Sequence, residues 1–217
     1  MPLMIWGLIM LLFNRLVVTT GDFPVIMPLV QEVISIAKGV DVPLQAWAGT
    51  NGYVWGSIGF SAAYESLAAR AESGPKLMAA KGWWEVNRKL QEHVVSFEPD
   101  TILNYVRGGS LGTAIPLGTV VQQNYFQLAQ GADWMATLKW ANEFADLNKA
   151  LTGVDFNIIH TIYGTLGQVG FLAGYPNMAA VDAARAKINP EWWAKFLEAS
   201  KFAMAGTVMQ RMMTKIA

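Results

Sequence analysis

"GTNGYVWGSIGF", residues 49–60, returns near the other end of the chain as "GTLGQVGFLAGY", residues 164–175. Residues 49–75 lie against 164–190 at a constant shift of 115 without a gap, and ten positions are identical, Gly49, Gly52, Gly59 and Pro75 among them. That density of identities marks an internal repeat. With small gaps the likeness extends both ways: "GVDV" (39–42) meets "GVDF" (153–156), Trp83-Trp84 meets Trp192-Trp193, and Asn14–Gly21 meets Asn124–Gly131. The chain divides accordingly into a first repeat, 1–110, a glycine-rich linker, 111–118, and a second repeat, 119–217.

Each repeat carries the same alternation of periods. In the second, "TVVQQNYFQL" is β-branched and aromatic, as a strand requires, and "ADWMATLKWANEFADLNKAL" has helical spacing. "DFNIIHTIYGT" and "QVGFLAGY" flank a glycine turn and predict a hairpin. "PNMAAVDAARAKI" predicts a helix, Pro190 opens another at its first turn, and "GTVMQRMMTKI" closes the unit as a strand. The first repeat reads alike: a strand near 9–18, helix 23–38, hairpin 43–60, helices 61–72 and 76–95, and a strand near 100–106.

The order βαββαβ is that of the ferredoxin-like split fold, an antiparallel sheet with its helices on one face. The other face is apolar and bare, and leaving it in water costs about 25 cal/mol for each Å². Two such faces in one chain are therefore expected to pack together, giving an α+β fold of two tandem ferredoxin-like repeats closed into an intramolecular barrel. In its strand-turn-strand with glycines, followed by "YESLAARA" (64–71) and "VDAARA" (181–186), the chain resembles the dimeric α+β barrel superfamily, especially its tandem, NIPSNAP-like and EthD-like branches. That resemblance implies a ligand pocket between the sheet and helices of one unit. It also implies a range of activities: cofactor-free quinol oxygenases, isomerases, haem enzymes and small-molecule binders.

Composition narrows the partners. With 53% hydrophobic residues in 217 there is ample material for a core. Sixteen basic residues balance sixteen acidic ones, so no global field draws the protein to nucleic acid. The absence of cysteine removes disulfides, thiolate nucleophiles and zinc–thiolate sites, and fits a reducing cytoplasm. The apolar start, "MPLMIWGLIMLLF", is broken by Asn14 and Arg15 after about a dozen residues, short of the roughly 20 that a spanning helix needs. It is expected to be a strand with an apolar extension, with no integral membrane insertion.

No GxGxxG or GxxxxGK[ST] is present, so "GTNG" and "GTLG" are turns and not phosphate cradles. The candidates for chemistry are polar residues set in apolar strands. His160 shares its strand face with Phe156, Ile158 and Ile162, and the constant shift sets it against Gln45, which neighbours Trp47. It is open to three readings: a histidine satisfied by a hydrogen bond, a general base or substrate hydrogen-bonder, or an axial haem ligand. Asn124 and its counterpart Asn14 could orient a substrate carbonyl, and Arg15 could hold an anion. With His160, Asn124 and Arg15 as catalytic candidates go Gln45, Trp47 and Tyr163 as ligand contacts. No His-x-His or carboxylate cluster supplies a metal site, and no cofactor is expected unless haem takes His160.

Three functions follow: a binder of a lipid-like or aromatic small molecule, a cofactor-independent monooxygenase or isomerase acting on a phenolic or quinol-like substrate, and a structural or assembly protein. Because the barrel closes within one chain, the expected state is a monomer or a dimer of barrels.

Overall fold

The structure is a computed structural model that describes residues 10–109 and 115–217. The apolar extension at residues 1–9 and the heart of the linker, residues 110–114, lie outside the described residues. In the first half β1 (Leu11–Thr19) leads into α1 (Phe23–Gly39), and a hairpin follows, β2 (Leu44–Asn51) and β3 (Ser57–Tyr64). Its turn holds Gly52 at φ 75°, where a Cβ would stand 2.5 Å from the carbonyl oxygen of Gln210, so only glycine fits. Then come α2 (Leu67–Ala79), capped by Ser66, α3 (Trp83–Gln91), β4 (Val94–Phe97) and β5 (Thr101–Arg107).

The second half repeats the plan. It runs β6 (Val120–Gln127), α4 (Trp134–Thr152), the hairpin β7 (Asn157–Tyr163) and β8 (Gln168–Tyr175), α5 (Met178–Arg185), α6 (Pro190–Leu197) and β9 (Met209–Lys215). Asp133, Asn177 and Asn189 accept from the first free backbone N–H groups of α4, α5 and α6. Two expectations need correction. Residues 61–64 do not open a helix but extend β3, because Leu11–Asn14 pair with them. The helix expected to reach residue 95 stops at Gln91, and the β-branched Val94-Val95 begin a short strand laid against the end of β1.

Within each half the strands order identically, β5-β1-β3-β2 and β9-β6-β8-β7, all antiparallel. Two seams, β2–β9 and β5–β7, join the sheets edge to edge into a closed eight-stranded barrel, to which β4 adds a ninth strand outside. Helices cover the outer face. Ile26, Val30, Val33 and Val86 pack on Ile58 and Phe60 in the first half, while Trp140 and Phe144 pack on Phe156 and Phe171 in the second. A smaller cluster, Leu103, Ile159 and Leu172, faces the barrel interior.

The hydrogen-bond registers correct the correspondence between halves. Asn14 pairs with Ser61 and Ser61 with Gln45, whereas Gln123 pairs with Leu172 and Leu172 with Asn157. Asn14 therefore corresponds to Gln123, and Gln45 to Asn157, rather than to Asn124 and His160. Tyr64, opposite Leu11, likewise matches Tyr175, opposite Val120, which places the constant shift four residues out of register. The two hairpins turn over different lengths, so recurrent turn glycines track turn chemistry and not strand pairing. Four residues is close to one helical turn, which is why the helix alanines still aligned.

Candidate functional site

Alternation along the eight strands points every second side chain inward, and those side chains enclose a cavity of about 960 Å³. Two corresponding rows cross its wall. In the first half the row is Thr101, Asn14, Ser61, Gln45; in the second it is Arg211, Gln123, Leu172, Asn157. All eight line the cavity. The adjoining row sets Tyr105 beside Ile159 and Tyr125 at one seam, and Lys215 beside Trp47 and Leu16 at the other.

Small residues make room for large ones. A Cβ at Gly170 would stand 2.5 Å from the Tyr125 ring, and one at the corresponding Gly59 would stand 2.7 Å from Met213 Cε. Gly174, also in the wall, faces open space. The apolar part of the wall comes from Leu12, Leu103, Val121 and Leu172, and polar side chains are set among them.

Three phenols converge inside. The Tyr53 hydroxyl donates to Gln123 Oε1 at 2.8 Å, and the Arg211 guanidinium lies 4.9 Å above its ring. Burial pushes Tyr53 up to about 12 against the pull of Arg211, and pushes Tyr105 to about 12 as well. Burial, with Tyr53 and Tyr105 nearby, raises Tyr125 further still. All three are neutral donors at physiological pH and not bases. Glu98 sits 3.8 Å from Arg211. Opposite, Trp47 Nε1 donates to Ser61 Oγ at 2.8 Å. Gln45 Oε1 is buried without any hydrogen-bond partner, and an unsatisfied buried acceptor costs about 1–3 kcal/mol.

The structure distributes the sequence candidates unevenly. Gln45 and Trp47 line the cavity, while Tyr163 is 55% exposed at the end of β7 and does not. His160 points to the outer, helix-covered face: its ring meets Trp134 edge-on at 5.2 Å and its Nε2 lies 3.2 Å from Asn104 Nδ2. Burial lowers its pKa, opposed by a hydrogen bond to the Thr161 backbone. Asn124 also faces outward and accepts from Gln210 Nε2. Arg15 reaches the cavity rim but holds Asp100 through two hydrogen bonds of 2.8 and 2.7 Å. The three proposed catalytic residues do not share a cavity.

Under the helices of the second half, where the resemblance implied a pocket, Trp140 stacks on Phe144 at 5.7 Å amid further aromatic contacts. There a cavity of about 80 Å³ remains. Neither histidine lines the barrel cavity, so no imidazole can reach an iron there. No group of three or more metal-ligating side chains occurs among the described residues, and no described helix is long and apolar enough to cross a membrane. Sequence reasoning missed Tyr53, Tyr105, Tyr125, Gln123, Arg211 and Lys215. The available signal was the odd-numbered run Met209, Arg211, Met213, Lys215 in β9, but period two alone does not say which face is inside.

No protein-family model matches the sequence, and no curated protein matches it. Solved structures do match in fold. A candidate monooxygenase from Fusobacterium nucleatum superposes with a TM-score of 0.72 at 6% identity, over 96% of this chain and 93% of that one. An anthrone oxidase-like protein gives 0.54 at 12% identity over 98% and 93%. A heme-binding protein from Thermus thermophilus gives 0.54 at 8% over 95% and 90%. NIPSNAP-family structures also match, with TM-scores of 0.38 over about half of this chain. The α+β barrel is thus the fold this chain shares with the first three.

Proposed function

We propose that the protein binds one small organic molecule with a flat, largely apolar body inside the barrel, and that it does so without a cofactor. The observation that carries this reading is the cavity of about 960 Å³ in which Leu12, Leu103, Val121 and Leu172 line the wall together with Gln123, Tyr53, Tyr105 and Tyr125. Its volume suits a drug-sized ligand, and a few polar groups in an apolar wall are what fixes orientation in such sites. Tyr105 and Tyr125 supply neutral donors, so an aromatic molecule bearing a carbonyl oxygen fits the lining.

A catalytic reading, with a phenolic or quinol-like substrate, takes support from the names of the matched structures. It needs a proton acceptor in the cavity. Among the described lining groups the phenols are protonated, Glu98 is engaged by Arg211, and the amines are Lys215 on β9 and Lys38 on α1. Binding is the reading this chemistry favours.

The test is native mass spectrometry of the purified protein and of Gly174→Phe, whose ring would enter open cavity space at a residue without positive φ. Wild type is expected to retain or take up one small molecule, and the folded variant to lose it by roughly a hundredfold in affinity, about 2.7 kcal/mol. Equal uptake by the two proteins would exclude the barrel interior as the site.

A further inference from the structure

Resting on the reading of the cavity as a ligand site, we infer that its ligand is an apolar organic acid whose carboxylate sits on the Lys215 ammonium. Lys215 ends β9 with its side chain in the cavity wall, next to Trp47 across the β2–β9 seam. Its Nζ donates to the Ile115 carbonyl, a neutral partner, and no described carboxylate lies within 4 Å of it. Residues 1–9 and 110–114 contain no aspartate or glutamate that could serve.

Of the other partly buried cations, Arg70 lies over the Phe13 ring and the rest meet carboxylates. Arg107 has Asp146 and Asp155, Lys195 has Glu143, and Arg211 has Glu98. A cation withdrawn from water is unfavourable unless it is paired. Burial lowers the Lys215 pKa accordingly. The fold does not require a charge at this position, because the corresponding residue at the other seam, opposite Ile159, is the phenol Tyr105. An ammonium with no described carboxylate within 4 Å and an apolar wall beginning at Trp47 describe a seat for an amphiphilic anion.

Two probes of the same body separate the charge from the ring system: 2-naphthoate and neutral 2-naphthol, titrated by quenching of tryptophan fluorescence. Wild type is expected to prefer the acid by about tenfold or more. Lys215→Met is expected to abolish that preference while 2-naphthol binding stays within about threefold, and Lys215→Arg to restore it. Lys215→Gln repeats the neutral substitution should the methionine variant fold poorly, and the wild-type comparison needs no variant. Equal affinity of wild type for both probes, or an acid preference that survives in folded Lys215→Met or Lys215→Gln, overturns the acid inference and leaves the cavity reading standing. If neither probe binds the folded wild-type protein, both fall.

Discussion

The two halves of the barrel wall share a backbone plan and differ in what they present. Across the first half run Thr101, Asn14, Ser61 and Gln45; across the second, Arg211, Gln123, Leu172 and Asn157. Two positions of the four keep a carboxamide in both halves, while Thr101 is exchanged for a guanidinium and Ser61 for a leucine. The outer faces diverge as well, aliphatic under α1 and α3 but aromatic under α4 and α6. The sheet tolerates these exchanges because its ladder is backbone, and only the inner lining has to suit whatever the cavity holds. Divergence between the inner rows therefore reports on the ligand more directly than divergence on the outer face, where packing decides.

The largest effect on that comparison should come from making the first row resemble the second. Ser61→Leu removes the acceptor of the buried Trp47 indole N–H, which should cost about 1–3 kcal/mol of stability and weaken ligand uptake. Urea unfolding with a parallel binding titration checks it. An unchanged midpoint would mean that the first row is not held by its hydrogen bonds.

A smaller effect is expected on the outer face. His160→Gln should leave ligand uptake unaltered, since the ring packs on Trp134 away from the cavity. Its signature is instead in the pH dependence of stability. The folded pKa of His160 lies below its ordinary value of 6.5 because of burial, so the folded state takes up its proton less readily than the unfolded chain. Above that ordinary value the residue is neutral in both states and imposes no penalty; as pH falls through it, the folded state loses ground. Thermal melts from pH 8 to pH 5 should therefore fall less steeply for the variant than for wild type. A variant that lost its ligand while keeping its fold would return His160 to the functional site.

The architecture was legible because two period changes, each repeated, leave few alternatives. The strand-helix-hairpin order could be read from "TVVQQNYFQL" through "QVGFLAGY", and the bare sheet faces demanded each other. The site was less legible for two physical reasons. Turn glycines repeat wherever a hairpin turns, so Gly52 and Gly167 matched although the strands they border are out of register, and Gln45 was set against His160 instead of Asn157. Alternation also gives every strand two faces without saying which is enclosed. His160 among Phe156 and Ile158 looked like a polar group in a pocket, but those neighbours belong to the outer core. The groups that do face the cavity, Tyr125 and Arg211 among them, come from strands whose two faces are both rich in polar and large residues. No strand taken singly distinguishes them.

Whether the ligand lies within the barrel or beneath the helices is decided by soaking 6-bromo-2-naphthoate into crystals of the protein and locating the anomalous signal of the bromine. A single peak is expected, enclosed by the strands near Leu103 and Leu172, with the carboxylate directed to Lys215. A peak on the outer face, beside His160 and Trp134 or among the aromatic side chains under α4, would contradict the barrel site.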